Sequence, residues 1–192
     1  MKKINKTFYV KTFFLCLLIC LFFINYAAFA EKTFPAIVDH VVDGDTVWIQ
    51  KNGKKIKLRL LGIDTPEKYP GRKLYRDSRM CRVKQRQMKW LGKLASRHAK
   101  ELLTPGEKVT VKIYGKGFYG RKLAIIVLPD GTNFNEKMVK DGYSCVYRYR
   151  GHKSSELPQE EWEKLNALLN QARNERRGLW EKYYNIMQCL CY

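Results

Sequence analysis

No apolar run in this 192-residue chain is long enough to cross a bilayer. Residues 13–24 are unbroken apolar sequence, yet they stop at twelve residues where a spanning helix needs ~20. Internal repeats and low-complexity linkers are absent after Glu31, so one domain is the default. Acidic residues are few, 18 against 37 lysines and arginines. The cysteines lack the tight paired spacing of a zinc site, which sets structural zinc aside.

The short apolar run has its own reading. Lys2, Lys3, Lys6 and Lys11 precede it and Ala28-Phe29-Ala30 follows, the pattern of a secretory signal at residues 1–30, cleaved after Ala30. The competing account is an uncleaved anchor. Cleavage predicts a secreted or periplasmic protein. The signal takes four lysines and no acid with it, so the net charge of +19 falls by four to +15. Such an excess points to a polyanionic partner, against the plainer alternative of a soluble basic surface.

Cys81, Cys145, Cys189 and Cys191 remain after the signal. In an exported chain they read as up to two disulfides with three possible connectivities. Cys189 and Cys191 sit too close together to bond easily, so each is expected to reach elsewhere.

With 45% hydrophobic and 13% aromatic residues the chain can fill a real core. We expect a domain over residues 31–184 and a short cysteine-bearing tail at 185–192. Residues 34–42, 46–50 and 55–63 read as a strand meander, with Asn52-Gly53 as a strong hairpin signal. The period becomes helical over 78–103, where Leu91, Leu94, Ala95, His98, Ala99 and Leu102 share a stripe before Pro105-Gly106. His98 reads as a core or boundary residue without chemistry. Strands follow at 107–114 and 122–128, then a short helix near 135–140 and a strand around 144–149. Pro158 opens a last helix with Trp162, Leu165, Leu168, Leu169 and Ala172 on one face, closed by Gly178. The fold class is α+β: a five-stranded OB-type barrel capped by about three helices.

Asp43, Asp45, Asp64 and Glu67 cluster at the two outer ends of the first hairpin. Carboxylates repel one another, so this set needs a counter-charge. Asp45, Asp64 and an adjacent backbone carbonyl are oxygen donors suited to calcium, which takes ~6 to 8 oxygens. The plainer reading of Asp43-Gly44-Asp45-Thr46 is a tight turn, and of Thr65-Pro66-Glu67 a loop leaving a strand. Arg59, on an apolar strand, offers a fork for two phosphate oxygens. Arg121, after Tyr119-Gly120, starts a strand and is a second candidate, against the plainer reading of a solvated strand-end charge. Strand parity poses a demand: with a two-residue Asn52-Gly53 loop, Arg59 points away from the face of Asp45. Bringing both to one ligand requires a bulge or divergence at the open end of the hairpin.

Asp43-Gly44-Asp45-Thr46-Val47, Arg59-Leu60-Leu61-Gly62-Ile63-Asp64-Thr65-Pro66-Glu67 and Tyr119-Gly120-Arg121-x-Leu123-Ala124 stand in order and at the family's spacing. In them the chain resembles the staphylococcal, or thermonuclease-like, nucleases. The resemblance implies an OB barrel, with Asp45, Asp64 and the Thr65 carbonyl as calcium (Ca2+) ligands. It implies Glu67 as general base or water-positioner, and Arg59 and Arg121 as phosphate clamps. The reaction it implies is hydrolysis of the 5′ O–P bond of DNA or RNA, leaving 3′-phosphates. The chain departs from the family at Gly117 and Phe118, where an acid and a base are common. It also carries a longer segment at 68–93, with ten lysines and arginines against Asp77 alone. That segment is expected to grip backbone phosphates, against the plainer reading of a solvated helix face. Tyr147, Tyr149 and Phe118 are candidates for stacking on bases, against the equal alternative of core or rim packing on the barrel.

The expected partner is nucleic acid, with no stable protein partner, no membrane after signal cleavage, and a monomeric state. The rival is a non-catalytic OB-fold nucleic-acid-binding module, which would need none of the acidic and arginine set. A basic envelope-associated structural protein would need the signal to stay as an anchor.

Overall fold

Alternation and turn chemistry in the first half of the chain dictate a sheet that closes on itself. A computed structural model describes residues 32–116, 121–147 and 157–192. The signal stretch 1–30, residues 117–120, and Arg148 and Tyr149 lie outside the described residues. Strand β1 (Lys32–Asp43) buries Phe34, Ala36 and Val38 at every second position. A register shift after Val38 then moves the buried face to Val41. Strands β2 (Thr46–Lys51) and β3 (Lys54–Leu60) form the expected hairpin, pairing Lys51 with Lys54 across Asn52-Gly53. Both loop residues have positive φ, 49° and 73°, the geometry a two-residue hairpin loop needs and Asn-Gly tolerates.

Strand β6 (Lys122–Val127) lies parallel to β3, and β5 (Lys108–Lys116) pairs antiparallel with both β6 and β1. The result is a closed barrel in the order β1-β2-β3-β6-β5, as an OB fold requires. Val47, Ile49, Leu58, Leu60, Val111, Ala124 and Ile126 are buried in its core. A two-stranded ladder, β4 (Ile63–Asp64) with β7 (Cys145–Val146), sits beside it and pairs Asp64 with Cys145. Residues 144–149 therefore contribute only a two-residue strand among those described.

Six helices surround the barrel among the described residues: α1 (Arg72–Met80), α2 (Gln85–Leu102), α3 (Phe134–Lys140), α4 (Gln159–Asn174), α5 (Leu179–Lys182) and α6 (Tyr184–Cys191). None is long and apolar enough to cross a membrane. Where one helix was expected from residue 78, there are two. Cys81 and Arg82 break the run, Arg82 with φ 54°. Leu74 is the one apolar side chain that α1 buries, too little to register as a periodic stripe. Gln159–Asn174 buries Leu165, Leu169 and Ala172, the expected face.

The cysteine-bearing stretch after residue 184 is helix α6, which buries Ile186, Met187 and Cys191 in the same core as the barrel. Cys81 bonds to Cys189 and Cys145 to Cys191, so each tail cysteine reaches elsewhere, as its spacing suggested. His98 is held at 2.8 Å by Asp141 and stacks on Tyr143 with ring centroids 4.1 Å apart. Burial alone would raise the Asp141 carboxyl, but hydrogen bonds from His98 and Lys137 outweigh it and hold it below its ordinary value.

Candidate active site

Asp45 does not belong to a strand. Gly44 and Asp45 form the two-residue turn between β1 and β2, in which Asp43 faces Thr46. The turn is tied by the Asp45 N–H, which donates to Asp43 Oδ1 at 3.2 Å. It packs tightly on Thr65, since a Cβ on Gly44 would come within 2.5 Å of Thr65 Cγ2. This resolves the parity demand in a way the sequence did not show. The expected irregularity between β2 and β3 is absent: their pairing runs regularly up to Thr46 opposite Arg59. The register shift lies instead between β1 and β2, at Val41/Asp43. Alternation governs strands and not a turn residue, so Asp45 is free to swing toward Arg59.

After Leu60 the chain turns at Gly62, with φ 77°, into β4, which brings the Ile63 carbonyl and Asp64 back to Arg59. The Arg59 side chain is 14% exposed. Its Nη1 donates to Leu60 O at 2.9 Å and Ile63 O at 2.8 Å. Its Nη2 donates to Asp64 Oδ1 at 3.1 Å and lies 3.4 Å from Asp45 Oδ2. The two carboxylates thus converge on one guanidinium nitrogen, while the Tyr147 ring stands 5.6 Å from the guanidinium carbon. Asp45 also accepts from Thr65 N–H at 3.0 Å, Thr65 Oγ1 at 3.2 Å and Thr46 Oγ1 at 3.1 Å.

Burial of Asp45 would lift its carboxyl, but the Arg59 charge and the Thr65 N–H overcome that and hold it low and ionised. Asp43 goes the other way, pushed up to about 7 by burial and by the neighbouring Asp45 charge. Burial also raises Asp64 against the pull of Lys73 and Arg59. Arg59 itself is held charged: the surrounding carboxylates outweigh the cost of its burial.

Lys73 is the member that sequence reasoning misplaced. Counted among the phosphate-gripping cations of the basic segment, it turns inward from α1. Its Nζ lies 2.9 Å from Thr65 O, 3.4 Å from Asp64 Oδ2 and 3.2 Å from Asp77 Oδ2. Asp77 is 3% exposed, so the single acid of that segment is a buried partner of Lys73 and Arg76. The i,i+4 spacing of Lys73 and Asp77 was the available signal.

Among the described residues no three His, Cys, Asp or Glu side chains assemble as a metal cage. The chain offers two carboxylates and a carbonyl, and the Lys73 ammonium already lies against Asp64 and that carbonyl. The position suits a cation, and an all-oxygen donor set suits calcium better than a thiolate- or imidazole-seeking metal.

Glu67 stands outside this contact network, half-buried on the loop after Thr65, where its Oε1 accepts from Tyr69 N–H at 2.9 Å. The loop is fixed from behind by α2. A Cβ on Gly92 would come within 2.7 Å of Glu67 C, Lys68 N and Pro66 O. Gly92→Ala is therefore expected to push the Glu67 loop away and to cost about 1–3 kcal/mol, read as a lower midpoint in thermal denaturation. Arg121, half-buried, enters β6 two residues ahead of Leu123, which pairs with Arg59. Its motif partners Tyr119 and Gly120 lie outside the described residues.

A family model described as Staphylococcal nuclease homologue matches residues 57–182, taking in Arg59, Asp64, Thr65, Glu67 and Arg121. The turn with Asp45 precedes that stretch. The chain is 33% identical over 143 residues to an "Uncharacterized endonuclease" of Escherichia coli O157:H7, covering 74% of each protein. It is 30% identical over 152 residues to the "Thermonuclease" of Staphylococcus hyicus, covering 78% of this chain and 76% of that one. Similarity to "Endonuclease YhcR" of Bacillus subtilis (strain 168), 32% over 162 residues, takes in 83% of this chain but 12% of that protein, so this chain spans about an eighth of its length. With the barrel and the matched stretch in agreement, the chain belongs to the staphylococcal nuclease homologue family.

Proposed function

We propose that the protein is an exported, calcium-dependent nuclease that hydrolyses phosphodiester bonds of DNA, RNA or both. Water attacks phosphorus, the P–O5′ bond breaks, and a 3′-phosphate remains. The observation that supports this most is that Asp64 is shared between two cations: with Asp45 it meets the Arg59 guanidinium, and with the Thr65 carbonyl, two residues before Glu67 in the chain, it meets the Lys73 ammonium.

Asp45, Asp64 and the Thr65 carbonyl would hold the ion. When bound, a divalent ion supplies charge against the non-bridging oxygens and polarises the phosphoryl group. Glu67 takes the proton of the attacking water, or orients that water, through a carboxylate tethered at one oxygen by Tyr69 N–H. Arg59 and Arg121 add positive charge where negative charge grows on the phosphoryl oxygens. The test of the bond cleaved is end-group analysis of a cleaved oligonucleotide. New 3′-phosphate and 5′-hydroxyl ends are expected, and 5′-phosphate ends would overturn the proposed direction of cleavage.

Lys73 bears on the ion. To hold the ion, Asp64 and the Thr65 carbonyl would have to release the Lys73 ammonium, which lies 3.4 Å from the carboxylate and 2.9 Å from the carbonyl. Lys73→Gln is expected to tighten calcium binding at least about fivefold, the ~1 kcal/mol of a unit-charge interaction at 4 Å under full solvent screening. Calorimetric titration with calcium alone measures it, and unchanged or weaker binding would remove Lys73 from the ion's place.

Export is supported by the signal-like stretch at 1–30 and by two disulfides that persist in an oxidising compartment, secreted or periplasmic.

A further inference from the structure

The exposed face of α2 carries a pattern that the catalytic group does not use. Arg86, Trp90, Lys93, Arg97 and Lys100 are all exposed. Their spacing of four, three, four and three residues keeps them within about 80° of arc at 3.6 residues per turn. They run for about 21 Å at 1.5 Å per residue. The opposite face, with Met88, Leu91, Ala95 and Ala99, is buried. A solvated helix face ordinarily mixes charges of both signs. This stripe has no acid, and no carboxylate pairs with its four cations among the described residues. The acid of α2, Glu101, lies 3.5 Å from His98.

Two grooves follow the stripe. One, of about 730 Å³, is lined by Arg82, Lys84, Arg86 and Gln87 with Trp90 and Tyr183. The other, of about 270 Å³, is lined by Lys93, Arg97 and Lys100 with Lys68. Lys68 follows Glu67 directly, and Gly92 seats α2 on the backbone of residues 66–68. Trp90, 44% exposed, is oriented by its indole N–H, which donates to the Tyr183 hydroxyl at 3.0 Å. The Cys81–Cys189 disulfide ties the turn before α2 to α6, which begins next to Tyr183.

We propose that this stripe is a track for single-stranded nucleic acid, with phosphates on Arg86, Lys93, Arg97 and Lys100 and a base stacked on Trp90, leading the strand to Glu67. A single strand fits better than a duplex, because an aromatic platform needs an open base face. The track rests on the nuclease reading for its direction, though not for its binding chemistry.

The test is fluorescence anisotropy of a labelled 20-nucleotide oligothymidylate with the full chain in chelator, over a range of salt. In the triple variant Arg86→Ala, Lys93→Ala, Arg97→Ala the slope of log affinity against log salt should shallow by about 2, at ~0.7 per lost phosphate contact on a single strand. Trp90→Leu should weaken binding about five- to 150-fold with the salt slope unchanged. Duplex DNA and anionic phosphatidylglycerol vesicles serve as competitors, and preference for either over the oligothymidylate overturns the track. Unchanged slope and affinity in the variants overturn it too. Cleavage of a dinucleotide, too short to reach the stripe, should be the same in both variants as in the wild type, and slower cleavage would place the stripe inside the catalytic centre instead. A wild type that binds the oligothymidylate yet cleaves neither substrate with calcium would sink the nuclease reading and leave the binding track standing.

Discussion

Glu67→Gln should lower the single-turnover rate of phosphodiester cleavage by about 10² to 10⁴, the usual contribution of a positioned general base. The amide is nearly isosteric with the carboxylate, and its oxygen can still accept from Tyr69 N–H, which holds Glu67 at 2.9 Å. Pro66 and Lys68 remain seated against Gly92. What the variant loses is the capacity to take a proton. Binding of an oligonucleotide, measured by anisotropy in chelator, should therefore be retained. Equal loss of binding and rate would mean that Glu67 positions the substrate and has no part in the proton transfer.

Arg59→Ala should combine a stability loss with a loss of activity, because under the proposed mechanism the same guanidinium serves both. Removing one partner of a buried ion pair costs about 3–5 kcal/mol. Here the group left behind is Asp45, 8% exposed, and the carbonyls of Leu60 and Ile63 lose their donors as well. For a domain of this size that corresponds to a fall of about 6–20 °C in thermal midpoint. The pH dependence has a definite sign. Asp45 is held below its unfolded value in the wild type, so its contribution is present above the ordinary carboxylate range and is lost as pH falls through the lower folded value. The gap between wild type and variant should be widest near neutrality and narrow in acid, where a protonated Asp45 no longer needs a cation. A constant gap would mean that packing, and not the pairing of Asp45, sets the cost. Activity should fall by at least about 10² even where the variant is folded. Arg59→Lys should recover stability better than rate, since an ammonium restores charge without the fork.

The parts of this molecule that were legible in its sequence are those set by short-range rules. Asn52-Gly53 fixed a hairpin because both residues tolerate positive φ, and period-two burial marked Val47, Ile49 and Leu58 as barrel wall. Asp45, Asp64 and Arg59 were legible as a group because the hairpin brings its own ends together. The route by which they meet was not legible, since a register shift in β1–β2 and a turn position for Asp45 leave no compositional trace. Helix α1 escaped because it buries a single apolar side chain, and with it went the inward turn of Lys73. Two disulfides were expected from the cysteine count, but their pairing depended on α6 folding back onto the core, which no local pattern encodes.

That cleavage depends on an ion held by Asp45, Asp64 and Thr65 is a proposal that one comparison decides: the oxidised chain is incubated with a single-stranded DNA and an RNA oligonucleotide, with calcium and with an excess of chelator. Cleavage of at least one of them is expected in calcium, none in chelator, and restoration when calcium is added back. Cleavage that proceeds at the same rate in chelator would contradict it.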